Sequence, residues 1–318
     1  MRYIDRYGLH MSRIGLGTPR FGTRTDEALA RYFLDRFLAR GGTVVDTARN
    51  YYEWTENGRG KSEETIGRWL HAGAKREQVV LVTKGGVRNT GSVFTPNLQR
   101  PALLEEVKES MDALGTTIDI YLLHRDEPTR PVGEIMETLQ IIKDRTQAKA
   151  IGVCNWSLER LTAANDYARL HGYSQIQIVQ AWWSIAAYTS TMWNDPTTTY
   201  LDPSTRDYIR DNQMIGMAYT AQAKGFFQKA DTLGIDGIDD FLRHRIASAE
   251  NVRRLGEIQQ LAKATNRSIT SIVLGYITSN ATDGIALVSC STAAQLDDIL
   301  NECDYPLDDT FIRQIDGM

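Results

Sequence analysis

The chain has 318 residues, 42% hydrophobic and 24% charged, which is enough apolar side chain for one large core or two average ones and excludes a low-complexity or disordered chain. Its 36 basic and 40 acidic residues leave a net charge of -4, which argues against a nucleic-acid surface. No apolar run approaches membrane-spanning length, the opening residues lack the apolar core of a signal peptide, and three cysteines (Cys154, Cys290, Cys303) without metal-ligand spacing predict a cytoplasmic protein with no metal site.

Arg2–Ser12 reads as a short hairpin, placed to plug whatever follows. Next comes the first apolar run, Arg13–Gly17, then a helical spacing over Asp26–Arg40. Thr43–Asp46 and Val79–Lys84 are short runs rich in β-branched residues, separated by the amphipathic stretch Ser62–His71, where Ser62 before two glutamates predicts an N-cap. Gly85–Arg100 fits neither strand nor helix. Beyond it, Pro101–Leu114, Val132–Lys143 and Ser157–His171 have helical spacing. They alternate with the runs Ile118–His124, Ala150–Asn155 and Ile176–Gln180. Tyr188–Asp202 is a second long loop, followed by the helical Pro203–Asn212 and the run Met214–Thr220. Asp239–Arg245, Ala249–Thr265 and Ile269–Thr278 are extra helices before the last run, Ile285–Ser289.

Eight buried runs alternating with helices, with no break in composition, predict a single domain over 1–318. The fold class expected is α/β, a (β/α)8 TIM barrel with a short N-terminal hairpin and extra C-terminal helices. Six runs carry a polar residue at the far end: Asp46, Lys84, His124, Asn155, Gln180 and Thr220. In such a barrel these converge on one face, where loops build the chemistry. Two nucleotide motifs are near misses. Gly15-Leu16-Gly17-Thr18-Pro19-Arg20 lacks the third glycine of a dinucleotide fingerprint, and Gly60-Lys61-Ser62 lacks the first glycine of a P-loop.

Asp46-Thr47-Ala48-Arg49-Asn50-Tyr51 resembles the signature of the aldo-keto reductase family. Arg59–Gly67 is similar to that family's Ser-Glu-Glu helix, Ile118–His124 to its strand ending in histidine, and Gly152–Asn155 to its Gly-Val-Ser-Asn strand. The resemblance runs in order from about Arg2 to Leu300. It implies a catalytic tetrad of Asp46, Tyr51, Lys84 and His124. Reducing a carbonyl needs a hydride at carbon and a proton at oxygen. A free tyrosine titrates near ~10, and the expectation is that the Lys84 ammonium lowers it, Asp46 holds Lys84, and His124 orients the substrate oxygen.

The resemblance also implies NADP(H) or NAD(H) across the barrel mouth. Gly17 and Thr18 would lie at its nicotinamide end, Asn155 and Gln180 would bind the carboxamide, and Trp183 would stack on the ring. Thr220, Gln222 and Lys224 would face the pyrophosphate, with Ser289, Ser291 and Gln295 at the adenosine end. Here the chain departs from the pattern: Ser291 stands where the 2'-phosphate clamp is usually Arg or Lys, and Ile299 replaces the usual asparagine. Loss of that cation predicts that NAD(H) is accepted, with Arg20 or Lys224 as substitute clamps. Tyr52, Trp54, Phe94 and Trp193 are the candidates to line the substrate pocket. An ending soon after the last helix predicts a fairly open site. The function implied is an oxidoreductase interconverting an alcohol and a small carbonyl partner (aldehyde, ketone or sugar-like). The alternative is a cofactor-binding regulatory subunit resembling potassium-channel β subunits.

Overall fold

The computed structural model describes residues 1–73, 76–89, 94–188, 192, 195–303 and 305–316. The chain opens with the antiparallel pair β1 (Tyr3–Arg6) and β2 (Leu9–Ser12), joined by Tyr7 and Gly8 with φ of 57° and 71°. Positive φ at both turn residues matches the twist of a tight hairpin, and glycine adopts it without steric cost.

The body alternates strand and helix, with a strand pair inserted part-way and extra helices before and after the last strand. β3 (Ile14–Gly17), α1 (Glu27–Ala39), β4 (Val44–Asp46), α2 (Lys61–His71) and β5 (Val80–Gly85) come first. The pair β6 (Val87–Asn89) and β7 (Phe94–Pro96) precedes α3 (Arg100–Leu114), β8 (Ile120–Leu123), α4 (Val132–Thr146), β9 (Ala150–Cys154) and α5 (Leu158–His171). Then come β10 (Ile178–Trp182), α6 (Pro203–Asp211), β11 (Ile215–Tyr219), and the helices α7 (Phe226–Leu233), α8 (Asp240–Arg245), α9 (Ala249–Thr265) and α10 (Ile269–Thr278). β12 (Gly284–Val288), α11 (Ala293–Glu302) and α12 (Asp309–Asp316) finish the chain.

Strands β3, β4, β5, β8, β9, β10, β11 and β12 form a closed parallel barrel, with β12 pairing back onto β3. This is the expected (β/α)8 architecture. Side chains alternate across each strand. Val44, Val82, Ile120, Leu122, Ile178, Met217 and Ile285 fill the inside, and Ile4, Leu9 and Met11 of the hairpin pack onto them from below. The other face of each strand joins the helices in a second apolar layer, which includes Val45, Leu81, Tyr121, Val179 and Trp183.

Two local expectations are corrected. Ser62 does not cap α2: the cap is Gly60 at φ 79°, and Ser62 lies inside the first turn. Its Oγ is spent on tertiary bonds, donating to Thr18 O at 2.8 Å and accepting from Thr47 Oγ1 at 2.7 Å. Gly85–Arg100 contains the β6–β7 pair, whose three-residue strands are too short to show a period. Helices α7, α11 and α12 were not expected from the spacing. α12 is tied down by Arg206, which donates to both Asp316 oxygens at 2.8 and 2.9 Å.

Candidate active site

On β4 the alternation that buries Val44 inside and Val45 outside turns Asp46 into the barrel. Lys84 comes from the end of neighbouring β5, and both side chains are buried, at 1% and 0% exposure. All three ammonium protons are used: Lys84 Nζ donates to Asp46 Oδ2 at 2.7 Å, to Thr47 O at 2.8 Å and to Tyr51 Oη at 2.8 Å. Tyr51 Oη in turn donates to Asp46 Oδ2 at 3.2 Å, and Gln180 Nε2 donates to Asp46 Oδ1 at 2.9 Å. The carboxylate therefore gathers β5, β10 and the loop after β4 at one point.

The electrostatics differ from expectation in one respect. Burial opposes the Lys84 charge, but the Asp46 carboxylate more than offsets it and holds the ammonium above the usual lysine range. Burial and then Asp46 push the Tyr51 phenol above the usual tyrosine range, and Lys84 pulls it back only in part. The expected lowering of Tyr51 is thus not what this site gives. The ammonium is already neutralised by a carboxylate at 2.7 Å, so its field at the phenol is largely cancelled. Tyr51 rests protonated.

His124 follows β8, nearly buried and edge-on to Tyr51, with ring centroids 5.8 Å apart at 76°. Burial, then the Arg125 and Lys84 charges, hold it well below the usual histidine range, so the ring is neutral. Its Nδ1 meets Asn50 Oδ1 at 2.7 Å. Asn50 was not singled out from the sequence. Its only signal is its place immediately before Tyr51.

Asn155, after β9, has φ of 59°. Its Oδ1 accepts from Tyr219 Oη at 2.7 Å and from Thr199 N at 3.2 Å, and its buried Nδ2 has no partner among the described residues. A buried orphan donor at the mouth fits a carboxamide oxygen. Thr18 is fully buried and ties strand ends together, donating to Asp46 O at 3.0 Å, while Gly17 lies in register with Asp46. Thr220 follows Tyr219 at φ 55°, Gln222 Oε1 accepts from Gln228 Nε2 at 3.0 Å, and Lys224 places its ammonium 4.2 Å from the Phe241 ring. Ser289, Ser291 and Gln295 are exposed, and Ser291 N donates to Gln295 Oε1 at 2.8 Å. The Arg20 guanidinium reaches Ser291 Oγ at 2.6 Å.

Trp183 stands apart from these. It lies in the layer between strands and helices, against Tyr276 and in the space left by Gly216 and Gly284, with 2% exposure. The side chain faces away from the mouth and packs the core. The aromatic beside Asn155 is Tyr219, which the sequence reading passed over.

Of the substrate candidates, Tyr52 and Trp54 stack at 4.7 Å, and Trp54 is 45% exposed. Phe94 carries the Arg125 guanidinium 4.5 Å above its ring, and Arg125 pairs with Asp195 at 3.1 Å. Tyr188 and Tyr200 form a second stacked pair at 4.4 Å. Trp193 lies outside the described residues. Among those residues no three His, Cys, Asp or Glu side chains are grouped to hold a metal, and no helix is long and apolar enough to cross a membrane.

Residues 13–318 match the sequence model of the Aldo/keto reductase family. The chain belongs to that family. As an aldo-keto reductase it is an oxidoreductase that acts on carbonyl compounds. It is 26% identical over 303 residues to aldo-keto reductase YhdN of Bacillus subtilis, covering 91% of this chain and 84% of that one. It is also 26% identical over 332 residues to norsolorinic acid reductase of Aspergillus flavus, covering 97% and 78%. An aldo/keto reductase from Klebsiella pneumoniae, solved in complex with NADP and acetate, superposes with a TM-score of 0.70 at 18% identity, over 99% of this chain and 94% of that one. This superposition carries the aldo-keto reductase barrel.

Proposed function

We propose that the protein, working as a single domain over 1–318, interconverts a carbonyl and an alcohol with NADP(H) or NAD(H), Tyr51 passing the proton. The observation that carries this reading is the buried contact of Lys84 Nζ with both Asp46 and Tyr51, at 2.7 and 2.8 Å. Bound nicotinamide would supply the hydride. Asn155, through its Nδ2 that has no partner among the described residues, Gln180, and the Tyr219 ring beside Asn155 are the groups to hold the nicotinamide end. Gly17 and Thr18 shape the floor there. Thr220, Gln222 and Lys224 belong to the pyrophosphate segment, and Ser289, Ser291 and Gln295 to the adenosine end.

In reduction, the Tyr51 O–H bond breaks and its proton goes to the carbonyl oxygen. The phenolate left behind is paired with the Lys84 ammonium 2.8 Å away, and solvent restores the proton. In oxidation the same phenolate takes the hydroxyl proton. His124, neutral and fixed by Asn50, orients the oxygen. Stacked Tyr52 and Trp54, with Phe94, support substrates that have an apolar or sugar-like face. A cytoplasmic location belongs to this reading on cysteine usage alone.

The test is a panel of aldehydes, ketones and sugars, with 4-nitrobenzaldehyde as the first member, offered with NADPH and NADH. Steady oxidation of either cofactor is the expected result. Tight cofactor binding with no turnover across the panel would favour the regulatory-subunit reading instead.

A further inference from the structure

His124 has one ring nitrogen already committed. Nδ1 lies 2.7 Å from Asn50 Oδ1, and Asn50 is buried to 1% exposure. An amide oxygen can only accept, so in this arrangement the ring proton sits on Nδ1. The titratable groups facing the ring are Tyr51, from the loop after β4, Lys84 from β5, and Arg125 beyond β8. Burial, and then the Arg125 and Lys84 charges, keep the ring to a single proton. Nε2 therefore presents a bare lone pair, with no partner among the described residues.

A carbonyl oxygen also only accepts. His124 serves it only when the proton is on Nε2, and that requires Asn50 to offer its NH2 to Nδ1 instead. Asn50 Nδ2 is buried with no partner among the described residues, so no second bond opposes turning the amide over. A half-turn exchanges oxygen and nitrogen with little change of shape. One proton leaves Nδ1 for solvent and one is taken up at Nε2, with no net change in charge.

We infer that Asn50 is a positioning residue that selects the His124 tautomer, with its oxygen towards the ring in the arrangement described and its nitrogen towards the ring when a carbonyl is bound. The functional half of this rests on the carbonyl chemistry proposed above. The structural half does not. Two substitutions separate it from simple packing: Asn50→Asp keeps the shape but offers only acceptors, while Asn50→Leu keeps the size and offers neither donor nor acceptor.

Nitrogen NMR of protein labelled at the histidine rings, with His124 identified by the signals lost in His124→Gln, reads the tautomer without turnover. The free protein should show neutral His124 protonated at Nδ1. Asn50→Leu should release the preference and populate the Nε2–H form, and Asn50→Asp should bring a His124 titration up into the neutral range. In kinetics, at a pH above that titration where the ring is neutral again, Asn50→Asp should lose ~100-fold in kcat/KM for an aldehyde, as when one donor to a reacting oxygen is removed, and Asn50→Leu less. Cofactor affinity should hold within about twofold in both variants, because the cofactor residues are untouched. A packing role orders the two variants the other way. An unchanged His124 spectrum in both variants, or a Leu variant that loses more than the Asp variant, overturns the inference. If no carbonyl is reduced at all, the proposed function fails and the spectra still decide the tautomer.

Discussion

The Arg20 guanidinium, on the loop after β3, donates to Ser291 Oγ at 2.6 Å on the loop after β12. We take Arg20 as the proposed substitute for the cation missing from position 291, reaching it from the neighbouring strand end. Arg20→Ala should weaken NADPH about tenfold, near 1.4 kcal/mol, and leave NADH almost unchanged, because only the former carries the 2'-phosphate. Fluorescence titration of both cofactors checks this. Equal losses for the two would contradict it.

The Asp46–Lys84 pair is buried on both sides. Asp46→Leu leaves an ammonium in the barrel with no carboxylate and should cost about 3–5 kcal/mol, whereas Asp46→Leu with Lys84→Met should recover most of that. Urea unfolding of the three proteins reads both numbers. A single variant within about 1 kcal/mol of wild type would show that water reaches Lys84.

Tyr51 is held above its ordinary range, first by burial and then by Asp46. The acid needed for reduction is the protonated phenol, which persists at every pH below its pKa. Reduction should therefore stay level through neutral pH and fall only above about pH 10, while oxidation, which needs the phenolate, rises over the same window. A profile of kcat/KM for an aldehyde tests the sign. A falling limb near about pH 7 to 8 would mean that the ammonium wins over burial after all.

Gly67 sits where α2 crosses α3, and a Cβ there would lie 2.2 Å from the carbonyl oxygen of Ala113. Backbone cannot yield as a flexible side chain does. Gly67→Ala should destabilise by about 1–3 kcal/mol despite the better helix propensity of alanine. Thermal unfolding without loss would show that the helices slide apart.

Much of this was legible because barrel physics writes itself into sequence. The runs ending in Asp46, Lys84, His124, Asn155 and Gln180 are buried on both faces, so they stay apolar until the strand leaves the core and a polar residue becomes tolerable. What was not legible depended on direction or on fields. Trp183 and Tyr219 are both aromatics near strand ends, and only the β10 and β11 pleat decides that one packs outwards and the other meets Asn155. The β6 and β7 strands are too short for a period to emerge, and α7 follows directly on Lys224 and Gly225, both at positive φ. Asn50 carries no pattern of its own, since its role comes from the meeting of two loops. The direction of the Tyr51 shift needed the depth of burial and the carboxylate at Lys84, neither of which spacing reveals.

The central claim is that the Tyr51 phenol, bonded to the Lys84 ammonium at 2.8 Å, passes the proton. The most direct measurement is turnover and cofactor binding of Tyr51→Phe side by side with wild type. The account predicts turnover lower by ~1000-fold, within the usual contribution of a general acid, with cofactor affinity kept within about threefold. Turnover within about tenfold of wild type, with cofactor bound as before, would contradict it.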